Sequence, residues 1–325
     1  MIWRDISPVR QQSDKSGAGE IPCPCFTGIC FCVSGARPDP ALQALFQRAQ
    51  HHLAEDGLAC RVLASDEPAP PVDPGFLYLA DSHETAERMK ESGACIAGFL
   101  HDGNRSERFP GLRVVFDEPD EVDTDSYRKA WQRLSGLPWT ILTTEHLTVR
   151  ETVVEDVEDF YAIYRDPSMT EYQEGLFADP EDEKRYTADY IRRVYGLLGF
   201  GVWTVLLTDE QRIIGRAGFS IRQGFQEIEL GFMIGRPWQG HGYAYEVCSA
   251  ILDYGRDVLL LPRVQALVKE ENAASVHLCE KLGFARDGEV EIEEDIYGGS
   301  YAPERTVSFS PVHYGRYIRF VREFG

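Results

Sequence analysis

The chain has 325 residues, enough for two domains of ordinary size. A hydrophobic fraction of 43% supplies packed cores, and a formal charge of −20, shared by both sides of residue 140, excludes the basic surface that nucleic-acid binding needs. No apolar run approaches the roughly 18 residues of a membrane span, and Met1-Ile-Trp-Arg-Asp-Ile-Ser-Pro8 lacks an apolar signal core, so a cytoplasmic protein without membrane partners is expected.

Residues 1–22 are polar and glycine-containing and read as a flexible N-terminus. Residues 23–140 read as an α/β accessory domain. Strands are expected at Ile29–Val33, Ala59–Ala64, Phe76–Ala80, Cys95–Leu100 and Val114–Phe116. Helices are expected over Pro40–Leu58, Thr85–Ser92 (capped by Asp81 or Ser82) and Asp125–Leu134. Strands alternating with helices predict a small parallel, Rossmann-like sheet. The stretch from Glu67 to Pro74 is proline-rich and reads as a loop.

Four of the eight cysteines, Cys23, Cys25, Cys30 and Cys32, form Cys-x-Cys-x4-Cys-x-Cys. Zinc knuckles favour two to four intervening residues, and in a strand both members of a Cys-x-Cys pair share one face. The spacing therefore predicts buried small hydrophobes and no metal site.

The run from Leu77 through Asp81-Ser82 to Gly93-Ala94 and Gly98 resembles the last third of a haloacid-dehalogenase-type hydrolase. That resemblance implies an acid at a strand end that helps hold Mg²⁺. The nucleophilic Asp-x-Asp of those enzymes is missing, because the first strand runs into Ser34-Gly-Ala-Arg-Pro-Asp39. Without a nucleophile there is no aspartyl-phosphate chemistry, so a degenerate, non-catalytic module is expected and a phosphatase is disfavoured.

Residues 141–325 read differently. Leu147–Val153 is an expected strand, and Asp156–Tyr164 a helix with Asp156 as its N-cap. Gly201–Leu207 and Gln211–Ser220 read as a hairpin turning at Thr208-Asp-Glu. Glu227–Ile234 is a strand that feeds Gln239-x-x-Gly242-x-Ala244 and then a helix from Val247 to Tyr254. Two glycines let the backbone of Gln239, Gly240, His241, Gly242, Tyr243 and Ala244 curl, so that several N–H groups point at one spot at a helix start. That is a pyrophosphate cradle without lysine. It is no Walker loop, since no Gly-Lys-Ser/Thr follows, and the third glycine of a dinucleotide fingerprint is absent. Downstream come a strand, Arg263–Val268, and a helix within Asn272-Ala-Ala-Ser275-Val-His-Leu-Cys279-Glu-Lys-Leu-Gly283-Phe284, with Gly283 at C′.

The two motifs, in this order and separation, resemble the GNAT superfamily of N-acetyltransferases. The opening Leu147-Thr-Val-Arg-Glu resembles its ribosomal-protein alanine and serine branch. The fold class implied is α/β (α+β), with a mixed, splayed central sheet. The cosubstrate implied is acetyl-CoA, and the acceptor a primary amine, on a small molecule or a peptide N-terminus.

In the family a backbone N–H from the cradle strand, here Phe232, Met233 or Ile234, polarises the thioester carbonyl. The pantetheine arm lies between that strand and Val264–Val268. Asn272 would hold the arm, cap the next helix, or both. Glu229 is the candidate base, with Glu227 sharing its face. The family's frequent tyrosine acid is matched here by Cys279, which leaves Ser275 or Tyr243 as hydroxyl candidates. A non-catalytic acyl-CoA sensor is the alternative reading. The acceptor pocket is expected from Met169–Tyr195, which carries Tyr172, Glu174, Asp179, Glu181, Asp182 and Glu183, and from a closing hairpin over Glu291–Phe309. If those acids line the site, a cationic acceptor follows; the plainer reading is a mobile helix–loop with solvated charge. Oligomeric state is not legible from the sequence.

Overall fold

A computed structural model describes residues 25–35, 38–64, 71–294, 301 and 313–324. The chain divides into two units, Val9–Trp139 and Thr140–Gly325. The expected flexible N-terminus and Cys23 lie outside the described residues.

The first unit is built on β1 (Gly28–Val33), α1 (Pro40–Glu55), β2 (Ala59–Ala64), β3 (Phe76–Ala80), α2 (His83–Glu91), β4 (Ile96–Leu100), β5 (Val115–Asp117) and α3 (Thr124–Leu134). Its five strands are all parallel, in the order β2-β1-β3-β4-β5. Parallel sheets need cover on both faces, and this one has it. Ile29, Phe31 and Val33 face Leu45, Phe46 and Leu53 of α1 and Trp131 of α3. The alternate residues, Cys30 and Cys32, face Ala86 and Met89 of α2 on the other side. Cys30 and Cys32 are core packing, as their spacing predicts, whereas Cys25 is exposed, because it lies before β1 and outside the sheet.

Ser82, not Asp81, caps α2, its Oγ accepting from Thr85 N at 3.3 Å. Asp81 instead accepts from Ser34 N at 2.8 Å and Ser34 Oγ at 3.0 Å, across the ends of β1 and β3. The first helix stops earlier than expected, at Glu55, because Asp56 and Gly57 turn the chain, Gly57 with φ +72°.

The second unit contains β6 (Thr140–Thr143), β7 (Leu147–Arg150), α4 (Val157–Tyr164), α5 (Pro180–Tyr190), α6 (Gly196–Leu198), β8 (Val202–Leu207), β9 (Arg212–Ile221), β10 (Ile228–Ile234), α7 (Tyr243–Asp257), β11 (Arg263–Val268), α8 (Ala273–Lys281), β12 (Ala285–Glu294) and β13 (His313–Glu323). Eight strands form one mixed sheet, β12-β13-β11-β10-β9-β8-β7-β6. Every neighbouring pair is antiparallel except β10 and β11.

That exception makes the site. The parallel pairing holds only at Ile228↔Val264 and Glu229↔Gln265. Beyond it β10 stays with β9 through Ile234, while β11 stays with β13 through Val268. A wedge therefore opens between β10 and β11. Leu230 and Ile234 of β10 pack with Val247 and Ile251 of α7 on one face, and Met233 packs with Phe160 of α4 and Met169 on the other.

Two expectations need correction. Asp156 does not cap α4 with its side chain. The chain enters through a 3₁₀ turn, Val154–Asp156, and the Asp156 carboxylate, 3% exposed, accepts from both Arg150 Nη atoms at 2.7 Å and from Thr204 Oγ1 at 2.7 Å. The closing hairpin is displaced: β12 starts at Ala285 and the return strand starts at His313, while most of the segment between them lies outside the described residues. Among the described residues no helix is long and apolar enough to cross a membrane.

Candidate active site

The wedge begins at Glu229. This residue is 8% exposed, and its Oε2 accepts from Arg222 Nε at 2.6 Å. Burial pushes the Glu229 carboxyl above the usual carboxylate range, and Arg222 offsets only part of that. Opposite it, fully buried Gln265 accepts from Arg319 Nε at 3.0 Å. Arg319 also pairs with Glu227 and Asp287, each at 2.8 Å, and Arg263 pairs with Glu227 at 2.7 Å. Glu227 lies just before β10 and is held by two arginines, so the two acids the sequence sets side by side have different surroundings: one is clamped, the other has a single partner.

Alternation along β10 sorts the rest. Gly235 N donates to Ile214 O at 2.8 Å, one step past the Ile234↔Gly215 pair. In an antiparallel ladder every second residue turns its N–H to the partner strand. The N–H of Met233 thus turns to β9, and those of Phe232 and Ile234 face the wedge.

At the mouth of the wedge the chain curls. A 3₁₀ turn, Arg236–Trp238, leads to Gln239, whose Nε2 donates to Ile234 O at 2.8 Å and ties the loop to the strand end. Gly240 and Gly242 follow at φ +79° and +88°, conformations that glycine adopts without strain, and a Cβ at either would meet nothing within 4 Å. From Gly240 to Tyr245 no backbone N–H donates to an acceptor among the described residues; the ladder of α7 begins with Glu246 N to Gly242 O at 3.0 Å. Six free N–H groups at a helix start, under open space, fit an anion. His241 stacks on Tyr243, with ring centroids 5.7 Å apart. Glu246, the one acid in this helix's first turn, is drawn away: its carboxylate accepts from Thr144 Oγ1 at 2.6 Å and His146 N at 3.0 Å.

Asn272 caps α8, its Oδ1 accepting from Ser275 N at 3.1 Å. Ser275 is half-buried in the first turn, and Tyr243 is half-buried in the first turn of α7. Cys279 is fully buried in the core, and burial pushes its thiol up to about 12, which removes it as a ready proton donor.

The acids of 169–195 divide: Glu174, Asp179 and Glu181 are exposed, as the plainer reading has it, whereas Asp182 and Glu183 are buried. Asp179 caps α5, Glu181 pairs with Lys184 at 3.1 Å, and buried Asp182 pairs with Arg185. Glu183 is buried, accepts from Phe177 N at 3.1 Å and, with Glu174, lines a cavity of about 220 Å³ that also meets Arg216. Sequence reasoning missed Arg216 and Arg222. The available signal was an arginine inside the apolar run Ile213-Ile-Gly-Arg-Ala-Gly-Phe219, where an interior charge needs a reason.

Residues 146–285 match the acetyltransferase (GNAT) domain family. An N-acetyltransferase of Bacillus licheniformis, p20, whose role is uncharacterised, is 30% identical over 151 residues, covering 45% of this chain and 83% of that protein. The ribosomal protein uS5-alanine N-acetyltransferase of Escherichia coli is 31% identical over 172 residues, covering 47% of this chain and 82% of its own length. Among solved structures, the ribosomal-protein-S5-alanine acetyltransferase of Vibrio fischeri is 19% identical with a TM-score of 0.44, covering 56% of this chain and 95% of that one.

Proposed function

Because this chain belongs to the GNAT acetyltransferase family, we propose that it moves an acetyl group from acetyl-CoA directly to a primary amine, on a small molecule or a peptide N-terminus. The observation that carries this reading is the adjacency of two features: a wedge between β10 and β11, and, at the start of α7, six N–H groups that have no acceptor among the described residues. Gly240, His241, Gly242, Tyr243 and Ala244 would hold the pyrophosphate through backbone N–H groups and the helix dipole, while Gln239, whose own N–H donates to Arg236 O, would hold the loop in place through its side chain.

When bound, acetyl-CoA supplies a thioester: the amine nitrogen bonds to the carbonyl carbon, the C–S bond breaks, and the released thiolate takes up a proton. The N–H groups of Phe232 and Ile234, which turn toward the wedge, would stabilise the charge developing on that carbonyl oxygen. Glu229, directly or through water, would take the proton that the amine gives up. Its raised pKa brings it closer to working pH, which suits a base. Arg222 holds the carboxylate in place. Ser275 or Tyr243 would offer the thiolate its proton. Asn272 fixes the start of α8 and would help hold the pantetheine arm.

Residues 23–140 are proposed as a separate accessory domain, Rossmann-like and degenerate in the manner of haloacid dehalogenases, with 141–325 as the acetyltransferase domain. The support is the all-parallel sheet and the fate of Asp81, whose carboxylate is occupied by Ser34 at the end of β1. No Asp-x-Asp stands there, so no phosphoryl chemistry is assigned to it.

The test is thiol release from acetyl-CoA against N-terminal peptides, polyamines, aminoglycosides and amino acids, with acetyl-CoA binding by calorimetry in parallel. Acceptor-dependent release is expected. Tight binding without release for any amine would instead support the acyl-CoA sensor, a reading favoured by the buried Cys279 where a tyrosine hydroxyl is common in the family.

A further inference from the structure

We propose that the cavity at Arg216 receives a carboxylate of the acceptor, so that the amine acetylated here belongs to a small amino-carboxylate and not to a polyamine. The inference deepens the acetyltransferase reading and rests on it.

Arg216 sits in the interior of β9 between buried Gly215 and Ala217, with its guanidinium 4.8 Å from the Phe160 ring centroid. Its Nε is buried without a hydrogen-bond partner, and among the described residues the side chain forms no ion pair. Leaving a buried guanidinium N–H without an acceptor is costly. The cavity it meets, about 220 Å³, is walled by Tyr164, Leu176 and Tyr186 and carries Glu174 and Glu183.

Both acids are already engaged. Glu183 accepts from Phe177 N, and Glu174 has interactions of its own within the chain. Burial also holds Glu183 above the usual carboxylate range, which weakens its claim on a cation. Glu183 gives Arg216 a charge neighbour, but the Arg216 Nε–H still has no acceptor among the described residues, and that is the unmet group. A carboxylate meets it best, because its two oxygens match the planar fork of donors on a guanidinium.

The cavity is well placed for an acceptor. Arg216 pairs with Met233 in register, and their side chains share the α4 face of the sheet with Gly231 and Glu229. A Cβ at Gly231 would meet nothing within 4 Å, so the floor between Arg216 and Glu229 is open. Four residues of strand separate the two levels, roughly 13 Å at strand rise. A small acceptor can rest one end on Arg216 and turn its amine toward the wedge. A polyamine would bring a second cation beside Arg216 and offer no acceptor to its Nε.

The experiment uses the full chain and thiol release from acetyl-CoA. The acceptors are the proteinogenic amino acids, their decarboxylated amines, spermidine and a short peptide. At least one amino acid is expected to exceed its decarboxylated counterpart by about 100-fold in kcat/KM, the scale of losing a buried charged partner. Arg216→Gln should cut that preference to about 3-fold or less, chiefly through KM, with acetyl-CoA affinity unchanged; Arg216→Lys should fall between.

The inference is overturned if the decarboxylated amine, spermidine or the peptide is the better acceptor, or if no amino acid reacts although acetyl-CoA binds. If Arg216→Gln fails to fold, the wild-type preference between each amino acid and its amine decides alone. A wild-type chain that does not bind acetyl-CoA overturns the acetyltransferase reading itself, which keeps the two failures apart.

Discussion

Glu229→Gln tests the proposed base with little change in shape. A positioned general base contributes about 100- to 10,000-fold, so kcat/KM should fall by at least about 100-fold. Acetyl-CoA affinity should hold, because the cradle contacts lie beyond Ile234 and do not involve this side chain.

The pH behaviour follows from burial. Glu229 has its carboxyl held above the usual range, and a base works only when ionised. Wild-type kcat/KM should therefore rise with pH through a value above the 4.5 of an ordinary glutamate, and Glu229→Gln should lose that limb. The sign for stability is opposite. A folded-state pKa above the unfolded one means that the native state binds the extra proton. The stabilisation is full below the ordinary value and is lost as pH rises through the raised one. The amide should flatten stability across that window. It also leaves Arg222 facing a neutral partner, a cost of about 1–3 kcal/mol if the pair were fully buried and less here, because Arg222 is only half-buried. The assays are thiol release across pH and denaturant midpoints at matched pH. An unaltered pH–rate profile with kcat/KM near wild type would refute the assignment.

Gly242→Ala should weaken acetyl-CoA binding by about 10-fold or more at a stability cost of about 1–2 kcal/mol, since φ is +88° and the methyl would enter the open space over the free N–H groups; an unchanged Kd by calorimetry would sink the cradle. Asp156→Ala should cost about 3–5 kcal/mol, read from urea midpoints, because it leaves Arg150 without its bidentate partner and Thr204 with only Thr152 Oγ1 to accept from it; a loss below 1 kcal/mol would mean that the pair is nearly neutral. Asn272→Ala should lower stability by about 1 kcal/mol through the lost cap, and Asn272→Asp should restore it. If acetyl-CoA affinity falls in both variants, the amide also touches the cosubstrate. In the first unit, Phe31→Ala should cost about 3–5 kcal/mol, because this ring is fully buried between Phe46 and Phe99.

What the sequence carried plainly was whatever is encoded locally. The alternation of Ile29, Phe31 and Val33 against Cys30 and Cys32 predicts a strand buried on both faces, and each set has its own core. Gly283 at φ +81° ends α8, with Phe284 N returning to Cys279 O at 3.0 Å, because that position needs left-handed backbone. What stayed hidden depends on partners distant in the chain. Asp156 looks like an N-cap because it precedes a helix, yet Thr204, 48 residues away, and Arg150 claim its carboxylate. The acids of α5 look solvated because they stand in a charged run, yet Tyr301 N, 119 residues on from Asp182, bonds to one of them. Arg216 and Glu229 lie thirteen residues apart in sequence and on neighbouring strands of the sheet; only the β9–β10 register puts them on one face. A site assembled across strands is thus legible in its loops, where glycine and helix-start chemistry are local. It is illegible in its floor, where the decisive fact is which strand lies beside which. The acceptor, which would rest on that floor, is accordingly the part of the function that a sequence motif does not convey.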